Sequence, residues 1–207
     1  MMDTGKSNVN QVILKGKIAT DPMYSHTMYG ESFYTLNIEV PRLSGTCDLL
    51  PVTISDRLLD LIDIQIDDEI LIQGQLRSYN HIIDGKSRLI LTIFVRNISL
   101  DYDDYENPNQ VMLEGYICRE PVYRTTPFGR EIADMLLAVN RSYNKSDYIP
   151  VIAWGRNARF AGNMQVGEPI VIHGRMQSRP YQKKYSDGTC ETRIAYEVSA
   201  SYLELIE

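Results

Sequence analysis

The chain has 207 residues, 43% hydrophobic and 23% charged, with 13 Gly and 9 Pro, which is the profile of an ordinary globular protein with room for one large domain or two small ones. No apolar run approaches the roughly 20 residues that cross a bilayer as a helix, and the polar segment 1–10 has no apolar export core, so a membrane protein and a secreted precursor are both set aside. Three cysteines (Cys47, Cys118, Cys190) stand far apart with no C-x-x-C pair, which argues against a disulfide scaffold and fits a reducing cytoplasm. The net charge of −6 is unevenly placed: residues 1–106 hold 9 Lys/Arg against 16 Asp/Glu, while residues 107–207 hold 12 against 11. The acidity that would repel nucleic acid belongs to the first half alone.

Self-comparison organises the rest. A shift of 99 positions carries Asn8, Asn10, Gln11, Val12, Leu14, Gly16, Ile18, Pro22 and Gly30 onto Asn107, Asn109, Gln110, Val111, Leu113, Gly115, Ile117, Pro121 and Gly129. The same shift carries Arg42, Asp48 and Pro51 onto Arg141, Asp147 and Pro150; with one added residue, Ile70, Gly74 and Ser78 fall on Ile170, Gly174 and Ser178. The chain is a tandem duplication, with copies at 1–105 and 106–207.

Each copy begins with an alternating strand, Val12 to Ile18 or Val111 to Ile117, and a turn at Gly30 or Gly129. Strands are then expected over 33–41 and 131–141, and over 48–55 and 147–154, followed by a short helix over 57–64 and 156–164. A fourth strand over 69–79 and 169–182 leads through a hairpin turn, Asp84-Gly85 or Asp187-Gly188, to a last strand over 87–99 and 191–203. Five strands with a helix between the third and fourth predict an all-β chain of two tandem OB-fold barrels. Asp101 to Pro108 reads as an acidic linker. Gly16, Gly115, Gly74 and Gly174 are expected where strands bend tightly.

The second copy contains Asn109-Gln-Val-Met-Leu-Glu-Gly-Tyr-Ile-Cys-Arg-Glu-Pro121, Thr126-Pro-Phe-Gly129, Leu137-Ala-Val-Asn-Arg141, Tyr148-Ile-Pro-Val-Ile-Ala-Trp-Gly155 and Gly174-Arg-Met-Gln-Ser-Arg-Pro-Tyr181. Through these stretches it resembles the bacterial single-stranded DNA-binding proteins of the replication type over nearly all of its length. The first copy resembles them in scaffold more than in surface. The resemblance implies a homodimer of four barrels. Such proteins usually end in a disordered tail with an acidic-hydrophobic tip; here the chain stops at Leu203-Glu-Leu-Ile-Glu207, so recruitment of replication proteins through such a tip is not expected.

The resemblance also carries the family's stacking positions onto Tyr143, Tyr148, Trp154 and Tyr181, all aromatic. Strand alternation supports this independently. Tyr148, Pro150, Ile152 and Trp154 share one face and Ile149, Val151 and Ala153 the other, both apolar, although a small barrel buries only one. Arg175, Gln177, Arg179, Tyr181, Lys183 and Tyr185 share a face of the fourth strand, cations interleaved with rings, which suits a phosphate backbone with exposed bases. Lys184, Arg141 and Arg156 join them as phosphate contacts, with Arg124 and Arg130 weaker candidates.

In the first copy the four ring positions are Ser44, Leu49, Ser55 and His81. Leu49, Pro51, Thr53 and Ser55 read as a wet outer face, and Gln75, Arg77, Tyr79 and His81 as a weaker track. Asp60, Asp63, Asp67, Asp68 and Glu69 would repel phosphates. The first copy is therefore read as structural, serving pairing or dimerisation, and the second as the nucleic-acid binder. Plainer readings stand beside these: Trp154 as a core residue, Tyr181 as a solvated hairpin residue, the strand cations as an exposed polar face, and the apolar face of 147–154 as a subunit contact.

His26, His81 and His173 are isolated and no phosphate-loop motif is present, so no catalytic residue, cofactor or metal is expected. The expected function is a cytoplasmic, non-enzymatic protein that coats single-stranded DNA with little sequence preference in replication, recombination or repair. The alternatives are a primosome-type accessory, or a protein-interaction scaffold with little direct nucleic-acid binding.

Overall fold

The computed structural model describes residues 9–83, 85–100, 108–185 and 187–206. The linker expected at 101–108 lies outside these residues except for Pro108, as does Asp84 of the first Asp-Gly turn. Repeat 1 contains β1 (Asn10–Ile18), β2 (Met23–Met28), β3 (Glu31–Pro41), β4 (Cys47–Ser55), α1 (Asp56–Leu59), β5 (Glu69–Ile83) and β6 (Lys86–Ser99). Repeat 2 contains β7 (Asn109–Ile117), β8 (Val122–Thr125), β9 (Glu131–Arg141), β10 (Lys145–Trp154), α2 (Arg156–Ala161), β11 (Pro169–Lys184) and β12 (Cys190–Leu205).

Five strands of each repeat close into a ring, β1-β3-β4-β6-β5 and β7-β9-β10-β12-β11, with one parallel pairing per ring, β4 on β6 and β10 on β12. These are the two OB barrels that the alternating pattern predicts. Inward-facing positions fill them: Val12, Leu14 and Ile18 from β1, Leu50, Val52 and Ile54 from β4, and their counterparts Val111, Leu113, Ile117, Ile149, Val151 and Ala153.

Three details differ from expectation. Short strands β2 and β8 pair with β3 and β9 outside the rings, because the first hairpin of each repeat continues its ladder beyond the barrel. The helices are shorter than expected. α1 ends at Asp60, before an Asp-rich stretch of low helix propensity, and α2 ends at Gly162. The hairpin strands are longer, reaching Ile83 and Lys184, since from Gly74 and Gly174 onward their cross-strand pairing runs continuously to the turns.

Gly74 and Gly174 mark where β5 and β11 leave their first-strand neighbours. The register slips at both, and a Cβ on either would stand 2.3 Å from a carbonyl oxygen of the facing strand, Phe94 or Ser199. The gaps that open beyond them are closed by buried Asn10 and Asn109. Asn10 Nδ2 donates to Leu76 O at 2.9 Å and its Oδ1 accepts from Leu76 N–H at 2.8 Å; Asn109 does the same to Met176, at 2.8 Å both ways.

The barrels join through β1 and β7, which pair antiparallel with Val12 opposite Val111, so that all strands form one 12-stranded sheet. The seam is self-complementary: Asn10 faces Leu113 and Leu14 faces Asn109, each pair being the other's equivalent in the duplication. Lys15 N–H donates to Pro108 O at 2.8 Å, and its equivalent Glu114 donates to Val9 O at 2.8 Å.

Two fully buried carboxylates reinforce the seam. Asp48 on β4 accepts from Ser178 N–H of the other repeat at 2.6 Å and from Arg42 Nε at 2.7 Å, with Arg175 Nη1 at 3.3 Å. Asp147 on β10 accepts from Ser78 N–H at 2.8 Å and from Arg77 Nη1 at 3.0 Å, with Arg141 Nη1 at 3.5 Å. Each repeat thus holds the other through an equivalent aspartate. Burial alone would raise the Asp48 carboxyl, but the hydrogen bonds from Arg42 and Ser178 outweigh it and hold the group below its usual range.

Replacing Asp48 or Asp147 with Asn should each lower unfolding stability by about 2 kcal/mol, read from denaturant midpoints. Because the native Asp48 carboxyl titrates lower than the unfolded one, its contribution is present above the unfolded value near ~4 and is lost as pH falls through the lower native value. The stability gap between wild type and Asp48→Asn should accordingly narrow in acid; a constant gap would contradict the assignment.

Candidate nucleic-acid interface

The outward face of β10 is where the repeats part company. In repeat 1 the equivalent strand, β4, is covered by its own repeat. Phe33 lies across from Ser55, and Phe94 across from Thr53. The Phe33 and Phe94 rings meet at 5.5 Å, His26 stacks on Phe33 at 5.1 Å, and the Arg96 guanidinium sits 4.9 Å above Phe94. Thr53 and Ser55 are buried, and Thr53 Oγ1 hydrogen-bonds Thr92 Oγ1 at 2.9 Å. The wet outer face expected for these residues is therefore corrected: rings supplied from β2, β3 and β6 close it. Ser44 and His81 are exposed, and Leu49 is partly so.

In repeat 2 the facing positions are smaller or aliphatic. Ile152 lies across from Ser199 and Trp154 across from Ile132, so the large ring stands on β10 itself. Ile152 is buried, Pro150 and Trp154 are half-buried, and Tyr148 is 45% exposed. Tyr148 and Trp154 stand six residues apart on one strand, about 20 Å, with Pro150 between them. Tyr143, 94% exposed, projects from the β9–β10 turn, where it and Asn144 adopt positive φ (63° and 53°). Tyr181, 37% exposed, lies on β11.

Several of the candidate cations are already engaged by carboxylates. Arg175 and Arg141 pair with buried Asp48 and Asp147 at the seam. Arg179 makes a two-pronged pair with buried Glu197, at 3.1 and 3.2 Å, and Gln177, also buried, donates to the same carboxylate at 2.8 Å. The face of β11 is thus part polar network rather than a row of open cations. Among the described residues no ion pair engages Lys183, Lys184 or Arg156, and of these Lys184 and Arg156 are exposed. Arg124 pairs with Asp134 at 2.9 Å, and Arg130 is exposed.

The far ends of the two long hairpins meet around Tyr185. Lys183 Nζ lies 5.7 Å from its ring centre, Arg193 5.9 Å, and Lys86 Nζ of repeat 1 5.5 Å. Tyr185 OH donates to Glu191 and accepts from Arg193 Nη2 at 2.7 Å. Arg193, then Tyr185, hold the Glu191 carboxyl down at about 2.

Three further exposed apolar groups were not among the candidates. Phe128 is 92% exposed at the β8–β9 turn, and its signal lay in the Thr126-Pro-Phe-Gly129 turn sequence. Leu89 and Ile194 project from opposite hairpins, which only the folded arrangement brings together. No group of metal-binding side chains occurs among the described residues, and no helix there is long and apolar enough to cross a membrane.

Fold and site together define a tandem OB-fold protein in which strand β10 of one barrel presents rings while the equivalent strand β4 of the other is covered at Thr53 and Ser55. The model of the Single-strand binding protein family matches residues 108–206, the second repeat. The chain is 37% identical over 106 residues to the Single-stranded DNA-binding protein of Clostridium tetani, covering 48% of this chain and 70% of that protein. To Single-stranded DNA-binding protein 1 of Staphylococcus aureus it is 32% identical over 103 residues, 46% of this chain and 61% of that one. The crystal structure of the wild-type single-stranded DNA binding protein from Thermus aquaticus superimposes with a TM-score of 0.76 at 23% identity, covering 96% of this chain and 93% of that one; this similarity establishes the fold. The chain belongs to the single-strand binding protein family.

Arg175→Ala should lower the melting temperature, since it strips a partner from buried Asp48, whereas Lys184→Ala should leave it unchanged. Equal melting temperatures would show that Arg175 is not part of the seam.

Proposed function

We propose that the protein binds and coats single-stranded DNA through repeat 2, with repeat 1 serving mainly as its structural partner. The observation that carries this reading is the exposed ring series Tyr143, Tyr148 and Tyr181 with half-buried Trp154, set within the segment that the family model matches. The corresponding positions of repeat 1 are Ser44, Leu49, Ser55 and His81. Relatives that bear the name single-stranded DNA-binding protein favour strand binding over the primosome-accessory and interaction-scaffold alternatives.

In this reading bases unstack from one another onto the rings, each contributing about 1–3 kcal/mol, while Lys183, Lys184 and Arg156 meet the phosphates. Arg141, Arg175 and Arg179 add positive potential, but their carboxylate partners reduce it. The mechanism is occupancy: a held strand can neither re-pair nor be cut, with little regard to sequence and strong sensitivity to salt. The proposed setting is the cytoplasm. A homodimer of four barrels is part of the proposal, formed through the solvent-facing side of the β1–β7 seam that carries Ile13 and Met112; sedimentation should then give twice the chain mass of 23.7 kDa.

Trp154 is the sole tryptophan, so titration with a dT oligonucleotide reads the site directly. The fluorescence should quench on binding, and affinity should fall as salt rises. Tyr148→Ala and Trp154→Ala should each weaken binding about tenfold or more. Wild type that neither quenches nor retards the oligonucleotide at low salt would overturn the proposal.

A further inference from the structure

The hairpins β5–β6 and β11–β12 lean together over an open groove of about 340 Å³ that belongs to both repeats. Leu89 and Leu91 of repeat 1 form one wall, Ile194 and Tyr196 of repeat 2 another, with Pro150 and Tyr181 also lining it. The walls are equivalent in the duplication. Leu89 and Leu91 stand across from Asn80 and Ser78, and Ile194 and Tyr196 across from Pro180 and Ser178.

We propose that this groove seats an unpaired base of the bound strand, so that repeat 1 supplies one wall of the DNA site; the inference rests on the reading of repeat 2 given above. Continuity is the first reason. Pro150 lines the groove and lies between Tyr148 and Trp154 on the outward face of β10, so a strand stacked along those rings runs into it. The chemistry of the walls is the second. Tyr181 offers a ring for stacking, and Leu89 and Ile194, 38% and 51% exposed, leave apolar surface for a base to cover.

Charge is the third reason. Arg179 and Glu197 lie at the groove, but Glu197 is taken up by Arg179 and Gln177, so its carboxylate is compensated where a phosphate would pass. Lys86 of repeat 1 and Lys183 of repeat 2 flank Tyr185 further along the same hairpins, with Lys184 beside them, and provide cations for the phosphates on either side of a seated base. The volume falls within the range of about 300–1,000 Å³ typical of small-molecule clefts, which accommodates a nucleobase. An apolar side chain of a protein partner would meet the same walls but would leave the hairpin lysines unused.

The test is to photo-cross-link full-length wild-type protein to a dT oligonucleotide carrying 5-iododeoxyuridine, map the joined peptides, and measure affinity of Leu89→Glu by mobility shift. The expected result is cross-links to the peptide holding Leu89 as well as to repeat 2, and binding about tenfold weaker in Leu89→Glu with an unchanged melting temperature. Cross-links confined to repeat 2, with Leu89→Glu binding as wild type, would overturn the inference while leaving the proposed function intact. Should Leu89→Glu fail to fold, the wild-type cross-link map decides alone. No binding by wild type at all would overturn both.

Discussion

Val12 opposite Val111 fixes the register on which the rest of the molecule depends. Because the β1–β7 seam is self-complementary, each strand meets its own equivalent, and the duplicated chain folds as an isologous dimer held within one polypeptide. The pairing covers a first-strand edge that each barrel would otherwise present for aggregation. It also places β10 of repeat 2 beside β5 of repeat 1, and β4 beside β11, so every other contact between the repeats follows from it. Asp48 and Asp147 make sense only in that setting. Each is a buried carboxylate whose backbone N–H donor comes from the opposite repeat, and a slip of one residue would leave both without it.

Symmetry of scaffold coexists with asymmetry of surface. At equivalent places repeat 1 puts Phe33 and Phe94 where repeat 2 has Ile132 and Ser199, and repeat 2 puts Trp154 where repeat 1 has Ser55. In one case the rings sit on the neighbouring strands and cover the third ring strand, β4; in the other the ring sits on that strand and is partly open to solvent. A few exchanges of large for small side chains thus convert a closed face into a presenting one without disturbing either barrel. This division is the basis for proposing different work for the two repeats, with the proposed base site between the hairpins as repeat 1's share in it.

The scaffold was legible because it depends on local pattern. Alternation of Val12, Leu14, Gly16 and Ile18, the Asp-Gly turns, and the repeat of all of these at a fixed offset suffice to draw two five-stranded barrels. Tyr148 and Trp154 were legible for a related reason: apolar residues on both faces of 147–154 leave one face needing a partner, whereas Tyr143 and Tyr181 followed from the family resemblance. What was not legible depends on residues distant in sequence. Thr53 and Ser55 look like a wet face until Phe33 and Phe94 are seen across from them. Arg175 and Arg179 look like a phosphate track until Asp48, 127 residues away, and Glu197 are seen beside them. Leu89 and Ile194 look like unrelated exposed residues until the two hairpins are brought together.

The two repeats form one cooperative body joined at the β1–β7 seam. Differential scanning calorimetry of the intact chain tests it most directly. One transition is expected, with equal calorimetric and van't Hoff enthalpies, since neither barrel can lose the seam without exposing an edge and uncovering a buried aspartate. Two separate transitions, each with the enthalpy of a single barrel, would contradict it.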